Sequence, residues 1–161
     1  MKALPLVPAW LVVSMGVTVS ASAQNLALNK PATGTTSCNA DETPAKAVNG
    51  SVSGGNSDKW CSLGATKFWQ VDLGSARAIQ SFTLRHAAAG GESASWNTRD
   101  YDLLVSTDGT TFTTVVQARA NTAAVTNHTV SVTARYVRLN VITPTQDGNT
   151  AARIYEVEVY A

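Results

Sequence analysis

Short runs of alternating apolar and polar residues, separated by turn signals, follow one another along most of the chain. In residues 68–73, Trp69, Val71 and Leu73 fall on one face, with polar side chains between them, until the run stops at a glycine. Alternation with a period of two is typical of a half-buried β-strand. Because this pattern makes Trp69 a core residue, we expect Trp60, in the preceding motif, to pack in the core as well.

The clearest hairpin surrounds Asp108-Gly109. Residues 101–106 precede this pair and residues 112–116 follow it, and Asp-Gly is a favoured turn between antiparallel strands. No segment has a sustained helical period, so we expect an all-β sandwich or barrel with very little helix. The runs interpreted as strands are 68–73, 79–84, 101–106, 112–116, 125–132, 135–142 and 154–160.

The first residues have the composition of a secretory signal peptide. Lys2 provides a positive start, residues 4–19 are mostly apolar, and Ala21-Ser22-Ala23 supplies the small residues of a cleavage site. A membrane anchor is the weaker alternative because the run is shorter than the ~20 residues that a spanning helix needs. We therefore expect a signal peptide over 1–23 and one exported domain, extracellular or periplasmic, over 24–161.

Charge and cysteine content narrow the function classes. A net charge of +1 and a charged fraction of 14% do not favour binding to nucleic acid or to an anionic membrane surface. Cys38 and Cys61 are the two cysteines, so if they pair, one connectivity exists. Two buried thiols are the alternative, which export makes less favourable. A zinc site is poorer still, because neither histidine is placed to complete it.

The connection over residues 87–100 is long for a β-sandwich. It contains Gly90-Gly91 together with a tryptophan, an arginine and a glutamate. Long ordered loops that carry aromatic and charged residues are often functional, so this loop is the first candidate for a binding site.

The order of several short motifs resembles a known family. These motifs are NLALNKPA (25–32), AVNG (47–50), KWCS (59–62), WQVDLG (69–74), VSTDG (105–109), ARYVRL (134–139) and IYEVEVY (154–160). In this order they resemble the coagulation factor V/VIII type C (discoidin) domain, and more closely the bacterial family 32 carbohydrate-binding modules. The resemblance covers essentially all of residues 24–161. It implies a galactose-binding-domain-like jelly-roll β-sandwich of about eight antiparallel strands, with binding loops at one end and a structural calcium ion nearby.

The resemblance implies a calcium site built from two parts of the chain. Calcium prefers six to eight oxygen ligands from carboxylates and carbonyls. Matched residue by residue, the ligands are the carbonyls of Lys46, Ser51 and Tyr155 and the side chains of Asn49, Asp58 and Glu156. Asn49 stands where the family usually has aspartate, and the loop is longer than usual. Without the resemblance, the same glycine-rich segment is ordinary turn chemistry with no ion.

The resemblance also implies that loop residues bind sugars of the galactose type. An aromatic ring would stack on the sugar, with charged and amide groups around it that hydrogen-bond neighbouring hydroxyls. The candidates are His86, Glu92, Trp96, Asn97 and Arg99, with Trp96 as the stacking platform. Each also has a structural interpretation: a histidine or tryptophan packed on the core, an arginine in a surface ion pair, a solvated glutamate.

The expected function is therefore that of a non-catalytic, secreted carbohydrate-binding module whose partner is a glycan or polysaccharide. Two other classes remain open. A glycoside hydrolase would need a carboxylate pair such as Glu92 and Asp100 within a substrate-enclosing cleft. A phospholipid- or protein-binding discoidin module would need exposed apolar loop tips, of which Trp96 is the one large candidate in this loop.

Overall fold

The computed structural model describes residues 23–161, so the predicted signal peptide lies outside the described residues except for Ala23. The described chain is mostly β. Its seven strands are β1 (Ala32–Gly34), β2 (Trp60–Ser62), β3 (Lys67–His86), β4 (Asp100–Ser106), β5 (Thr113–Ala118), β6 (Val125–Thr143) and β7 (Ala152–Tyr160). Three short 3₁₀ segments cover Pro44–Val48, Ala87–Gly90 and Ala94–Trp96. None of the helical segments in residues 23–161 has the length and apolar character to cross a membrane.

Two long antiparallel strands, β3 and β6, organise the sheet. All strands pair antiparallel in the order β2-β7-β3-β6-β4-β5, with β1 added on β3. The first part of β3 pairs with β1, whereas its last residues pair with β7. On β6, the second part carries β4. Each long strand therefore contributes to both layers of a sandwich.

The bend between the two layers falls after Asp72 in β3. The register of the β3–β6 ladder shifts between Asp72 and Arg77, and Gly74 within this stretch has a φ of +89°. Glycine tolerates this left-handed conformation without the penalty that a Cβ brings. The glycine expected to stop a strand instead bends a continuous one.

One hydrophobic core fills the space between the layers. It contains Trp69 and Leu103 from one layer and Phe82 and Val157 from the other, all fully buried. Trp60 is also fully buried, so both tryptophans expected in the core are found there.

The predicted fold class is confirmed. The described residues form seven strands rather than about eight, because two pairs of predicted runs each belong to one continuous strand. Predicted runs 68–73 and 79–84 are two parts of β3, and runs 125–132 and 135–142 are two parts of β6. Turn-like residues between such runs mark a bend rather than an end when the ladder continues on both sides. The very short strands β1 and β2 carry too few residues to show a period.

Cys38 and Cys61 form a disulfide with a Cα–Cα distance of 5.4 Å. The bond fixes the segment before the first 3₁₀ turn to β2, which in turn pairs with β7. It therefore anchors loops at the end of the sandwich where the candidate site lies.

Candidate functional site

An open cleft lies where four connections meet, those between β1 and β2, β2 and β3, β3 and β4, and β6 and β7. Its volume is about 360 Å³. A depression of similar size, about 330 Å³, lies on the β3–β6 ladder but has no aromatic or charged side chain in its lining. The residues that line the cleft are Cys38, Glu42, Asn56, Lys59, Cys61, Leu63, Glu92, Trp96, Ala151 and Arg153.

Trp96 is held in place on one side of the cleft. Its indole Nε1 donates a hydrogen bond to Asp147 Oδ2 at 3.0 Å, and the Arg153 guanidinium carbon lies 4.3 Å from the ring centroid. Gln146 N also donates to the Ser95 carbonyl at 2.7 Å. Because the two loops are bonded to each other, the partly exposed indole is positioned before any ligand arrives.

A network of four charged side chains forms the base of the cleft. The Lys59 ammonium lies 2.9 Å from Glu42 Oε1 and 3.0 Å from Glu92 Oε1, and Arg153 Nε lies 3.2 Å from Glu92 Oε2. Tyr155 Oη donates to Glu92 Oε1 at 2.9 Å. The Lys59 side chain is only 3% exposed and that of Glu92 only 7%, so these ion pairs are screened little by water.

Two of the five predicted sugar-binding residues, Glu92 and Trp96, line this cleft. Both residues come from the predicted loop, although Glu92 is bound by three side chains rather than exposed. Their neighbour Arg99 is exposed, does not line the cleft, and forms no side-chain ion pair within the described chain. The two acids nearest to Arg99 in the sequence are engaged elsewhere: Asp102 pairs with Arg119, and Asp100 accepts from the Ala120 amide.

His86 lies inside the sandwich. It is fully buried as the last residue of β3, on the same inward face as Leu84. Its Nε2 lies 3.0 Å from Thr126 Oγ1, and burial lowers the pKa of the imidazole to about 4. The structural interpretation of this histidine therefore applies, because the inward register of β3 continues to its final residue.

Asn97 is also buried, with 1% of its surface exposed. Its Oδ1 accepts from the Ala88 amide at 2.9 Å and its Nδ2 donates to the Thr122 carbonyl at 2.9 Å. All of this side chain's contacts therefore hold the loop together, and none of its polar atoms faces the cleft. Asn97 supports the position of Trp96 rather than a ligand.

Eight of the ten cleft residues come from outside the predicted loop: Cys38, Glu42, Asn56, Lys59, Cys61, Leu63, Ala151 and Arg153. Lys59 belongs to the Lys-Trp-Cys-Ser motif, and Leu63 is a leucine in a turn with 58% of its surface exposed. An exposed large apolar residue beside an aromatic one is a signal for a binding surface. The sequence does not show that these segments converge, because the disulfide and the β2–β7 pairing bring them together.

The loop over residues 46–58, named here the cation loop, lies next to the last strand. Asn49 Nδ2 donates to Asp58 Oδ1 at 2.6 Å, and the Gly54 amide donates to Asp58 Oδ2 at 2.9 Å. The Gly50 amide donates to Glu156 Oε1 at 2.7 Å. The structure thus brings Asn49, Asp58 and Glu156 together at one place.

Glu156 has the features of a carboxylate that lacks a counter-charge. It is 2% exposed, its Oε2 has no hydrogen-bond partner in the described chain, and burial raises the pKa of its carboxyl to about 7. Neither Glu156 nor Asp58 takes part in an ion pair within residues 23–161. Because buried charges are normally paired or bound to a metal, the donor set fits a hard cation.

The other three predicted calcium ligands, Lys46, Ser51 and Tyr155, are predicted to act through their carbonyls. The Lys46 carbonyl accepts a long bond of 3.5 Å from the Asn49 amide, and the Ser51 amide donates to Asn49 Oδ1 at 2.8 Å. The Tyr155 hydroxyl donates to Glu92 in the cleft, so this side chain takes no part in the cation loop. A separate trio, Cys38, Glu42 and Cys61, has metal-ligand spacing but loses two thiolates to the disulfide.

Comparisons with known proteins place the chain in a family. The F5/8 type C domain model matches residues 31–157, whereas no curated protein sequence matches the chain. The family 32 carbohydrate-binding module of Streptococcus pneumoniae EndoD is 30% identical, with a TM-score of 0.73 over 85% of this chain and 99% of that one.

Two further solved structures have similar folds. Chitosan-binding module 2 of a Paenibacillus sp. IK-5 chitosanase/glucanase, in complex with chitotriose, is 26% identical, with a TM-score of 0.71 over 85% of this chain and 100% of that one. A family 32 module from Clostridium perfringens, in complex with GalNAc-β-1,3-galactose, is 20% identical, with a TM-score of 0.71 over 87% of this chain and 100% of that one. From the family match and this shared fold, the chain belongs to the F5/8 type C domain family.

Proposed function

We propose that this protein is a secreted, non-catalytic carbohydrate-binding module that binds galactose-type or related sugars in the cleft, with a structural calcium ion in the cation loop. The observation that carries the proposal is the pre-positioned, partly exposed Trp96 beside buried charged groups in an open cleft. The 30% identity to a family 32 carbohydrate-binding module supports the same class of ligand.

The cleft has the two elements that sugar recognition requires. The apolar C–H face of a sugar ring can pack on the exposed parts of Trp96 and Leu63. Polar atoms remain for hydroxyl groups, because neither Arg153 Nη2 nor Glu42 Oε2 has a hydrogen-bond partner within the described chain. A shallow single site of this kind binds weakly, roughly in the μM–mM range, and gains from multivalency.

The charge network favours binding over catalysis. A glycosidase pair needs one carboxyl group that is protonated at the working pH and a second that is ionised. Glu42 and Glu92 both lie within ion-pair distance of Lys59, so both carboxylates are held in ion pairs of the chain itself. Asp100, the other acid considered, accepts from the Ala120 amide and does not line the cleft.

Calcium is proposed as a stabilising ion. Asn49, Asp58 and Glu156 would hold it with their side chains, and the carbonyls of Lys46, Ser51 and Tyr155 are further ligands. A bound divalent cation would supply the positive charge that the two carboxylates lack. The chain itself already orders the loop through the hydrogen bonds from Gly50 to Glu156 and from Gly54 to Asp58.

A glycan array probed with and without chelator tests the proposal. We expect binding to one class of neutral glycan, with thermal stability lowered by the chelator. Co-sedimentation with phosphatidylserine vesicles tests the phospholipid alternative. Binding to vesicles and to no glycan would contradict the proposed function.

A further inference from the structure

Lys59 occupies an unusual position at the base of the cleft. Its side chain is 3% exposed and its ammonium lies within 3.0 Å of a carboxylate oxygen of both Glu42 and Glu92. It also donates a hydrogen bond to the Asn56 carbonyl, and it lies 5.7 Å from the centroid of the Tyr155 ring. An ammonium group has three N–H donors, and three oxygen acceptors surround this one.

These surroundings are those of an ammonium-binding site. Two carboxylates, a carbonyl and an aromatic face are the groups that stabilise a protonated primary amine when water is largely excluded. In this chain the amine is supplied internally by Lys59, so the acceptors are already engaged. The carboxylates of Glu42 and Glu92 are balanced by Lys59 and Arg153, which leaves the network without net charge.

Resting on the proposed function, we propose that Lys59 is a specificity-determining residue that fills the place of a sugar amine, so that the cleft takes uncharged sugars and rejects protonated amino sugars. A second ammonium group in the cleft would meet Lys59 and Arg153 at short range in a poorly screened environment. It would also find no free carboxylate pair. Hydroxyl groups meet no such repulsion and can use the remaining atoms of Glu42 and Arg153.

This chain and a relative of the same fold are expected to differ in their binding of amino sugars. The Paenibacillus module is in complex with chitotriose, an oligomer of amino sugars. The same ligand is expected to bind poorly here because the chain's own lysine occupies the acidic site. Removing the lysine should therefore create affinity for a cationic sugar.

Two matched sugar pairs provide the test: galactose against galactosamine, and triacetylchitotriose against chitotriose. Dissociation constants would be measured by NMR titration at pH 6, where the amines are protonated, for the wild-type protein, Lys59→Met and Lys30→Met. Lys30 is exposed and outside the cleft, so its substitution removes the same charge elsewhere. We expect the wild type and Lys30→Met to bind the amine member of each pair at least about tenfold more weakly than the neutral member. We expect Lys59→Met to bind the amine member about tenfold or more tighter than the wild type does.

Equal or tighter binding of the amine members by the wild type would overturn the inference while leaving the proposed function intact. Absence of binding to every neutral glycan would contradict the proposed function, and the inference would then stand or fall on whether Lys59→Met gains chitotriose binding. If Lys59→Met does not fold, the wild-type comparison decides together with Glu42→Gln. A larger loss of affinity for chitotriose than for triacetylchitotriose in Glu42→Gln would show that Glu42 holds the sugar amine and would overturn the role given to Lys59.

Discussion

Tyr155 and Glu156 are adjacent in β7, yet their side chains enter two different polar clusters. Tyr155 Oη donates to Glu92 at the base of the cleft, whereas Glu156 Oε1 accepts from the Gly50 amide in the cation loop. Asp58 and Lys59, just before β2, are also adjacent residues whose side chains enter different clusters: Asp58 lies in the cation loop and Lys59 in the cleft. The candidate sugar site and the candidate cation site therefore share two peptide segments.

Replacing Glu156 should remove the response to calcium. Glu156→Gln deletes one of two carboxylates near Asn49 while keeping an acceptor for the Gly50 amide. For the wild type, a cation that binds only the folded state raises the melting temperature with its concentration, by RT ln(1 + [L]/Kd) in free energy. We expect this rise to disappear in Glu156→Gln. Calcium titrations followed by calorimetry would measure it.

A matched control for that experiment is Asp41→Asn, which removes the same charge at an exposed position outside the cation loop. Its calcium response should equal that of the wild type. A calcium-dependent rise that persists in Glu156→Gln would show that the ion, if bound, does not use this carboxylate.

Replacing Trp96 should separate binding from folding. Trp96→Ala removes the aromatic surface of the cleft but leaves the buried core, of which Trp96 is not a member, unchanged. We expect sugar binding to be lost and the melting temperature to fall by only a few degrees, about what a loss of 1 kcal/mol produces in a domain of this size. Ile142→Ala is the control because Ile142 is 53% exposed and does not line the cleft. Equal sugar affinity in Trp96→Ala and the wild type would refute the stacking role.

The sequence predicts well the features that depend on local periodicity. It predicts poorly those that depend on segments distant in sequence coming together in the fold. The alternation around Trp69 identifies strands and core faces correctly because a strand's register is a local property. The orientation of loop side chains is not local. Asn97 faces inward because its side chain accepts from the Ala88 amide and donates to the Thr122 carbonyl, and Arg153 reaches Trp96 from strand β7. The cleft could therefore be predicted in part, through Glu92 and Trp96, whereas Glu42, Lys59 and Arg153, the other members of its charged base, could not.

His86 should make stability depend on pH between about 4 and 6.5. Its pKa falls to about 4 in the folded state because burial disfavours the charged imidazole, with His128 as a weaker cause. The unfolded chain, with an ordinary pKa near 6.5, binds more protons in this range. The contribution of His86 to the free energy of unfolding is therefore fully present above pH 6.5. It decreases as the pH falls towards 4, by up to about 3 kcal/mol in total.

Urea unfolding of wild type and His86→Gln at several pH values between 4 and 7 would measure this effect as a difference. Other groups near the imidazole, Tyr101, Thr126 and His128, remain in both proteins. We expect the pH-dependent decline of the wild type to be smaller in the variant by most of that amount. Parallel curves for the two proteins would contradict a pKa lowered by burial.

Removing the disulfide should affect both stability and the cleft. Cys38 and Cys61 are 23 residues apart, and closing a loop of this size stabilises a fold by about 3 kcal/mol in the chain-entropy model. The bond also lines the cleft beside Glu42. In Cys38→Ser/Cys61→Ser we expect a free energy of unfolding lower by about this amount, together with weaker sugar binding measured well below the melting temperature. Glu42→Gln with the disulfide intact is the comparison, because it alters the cleft while the covalent link between the two segments is kept. If the double serine variant binds sugar as tightly as the wild type, the bond acts on folding alone and the Glu42 segment keeps its position without it.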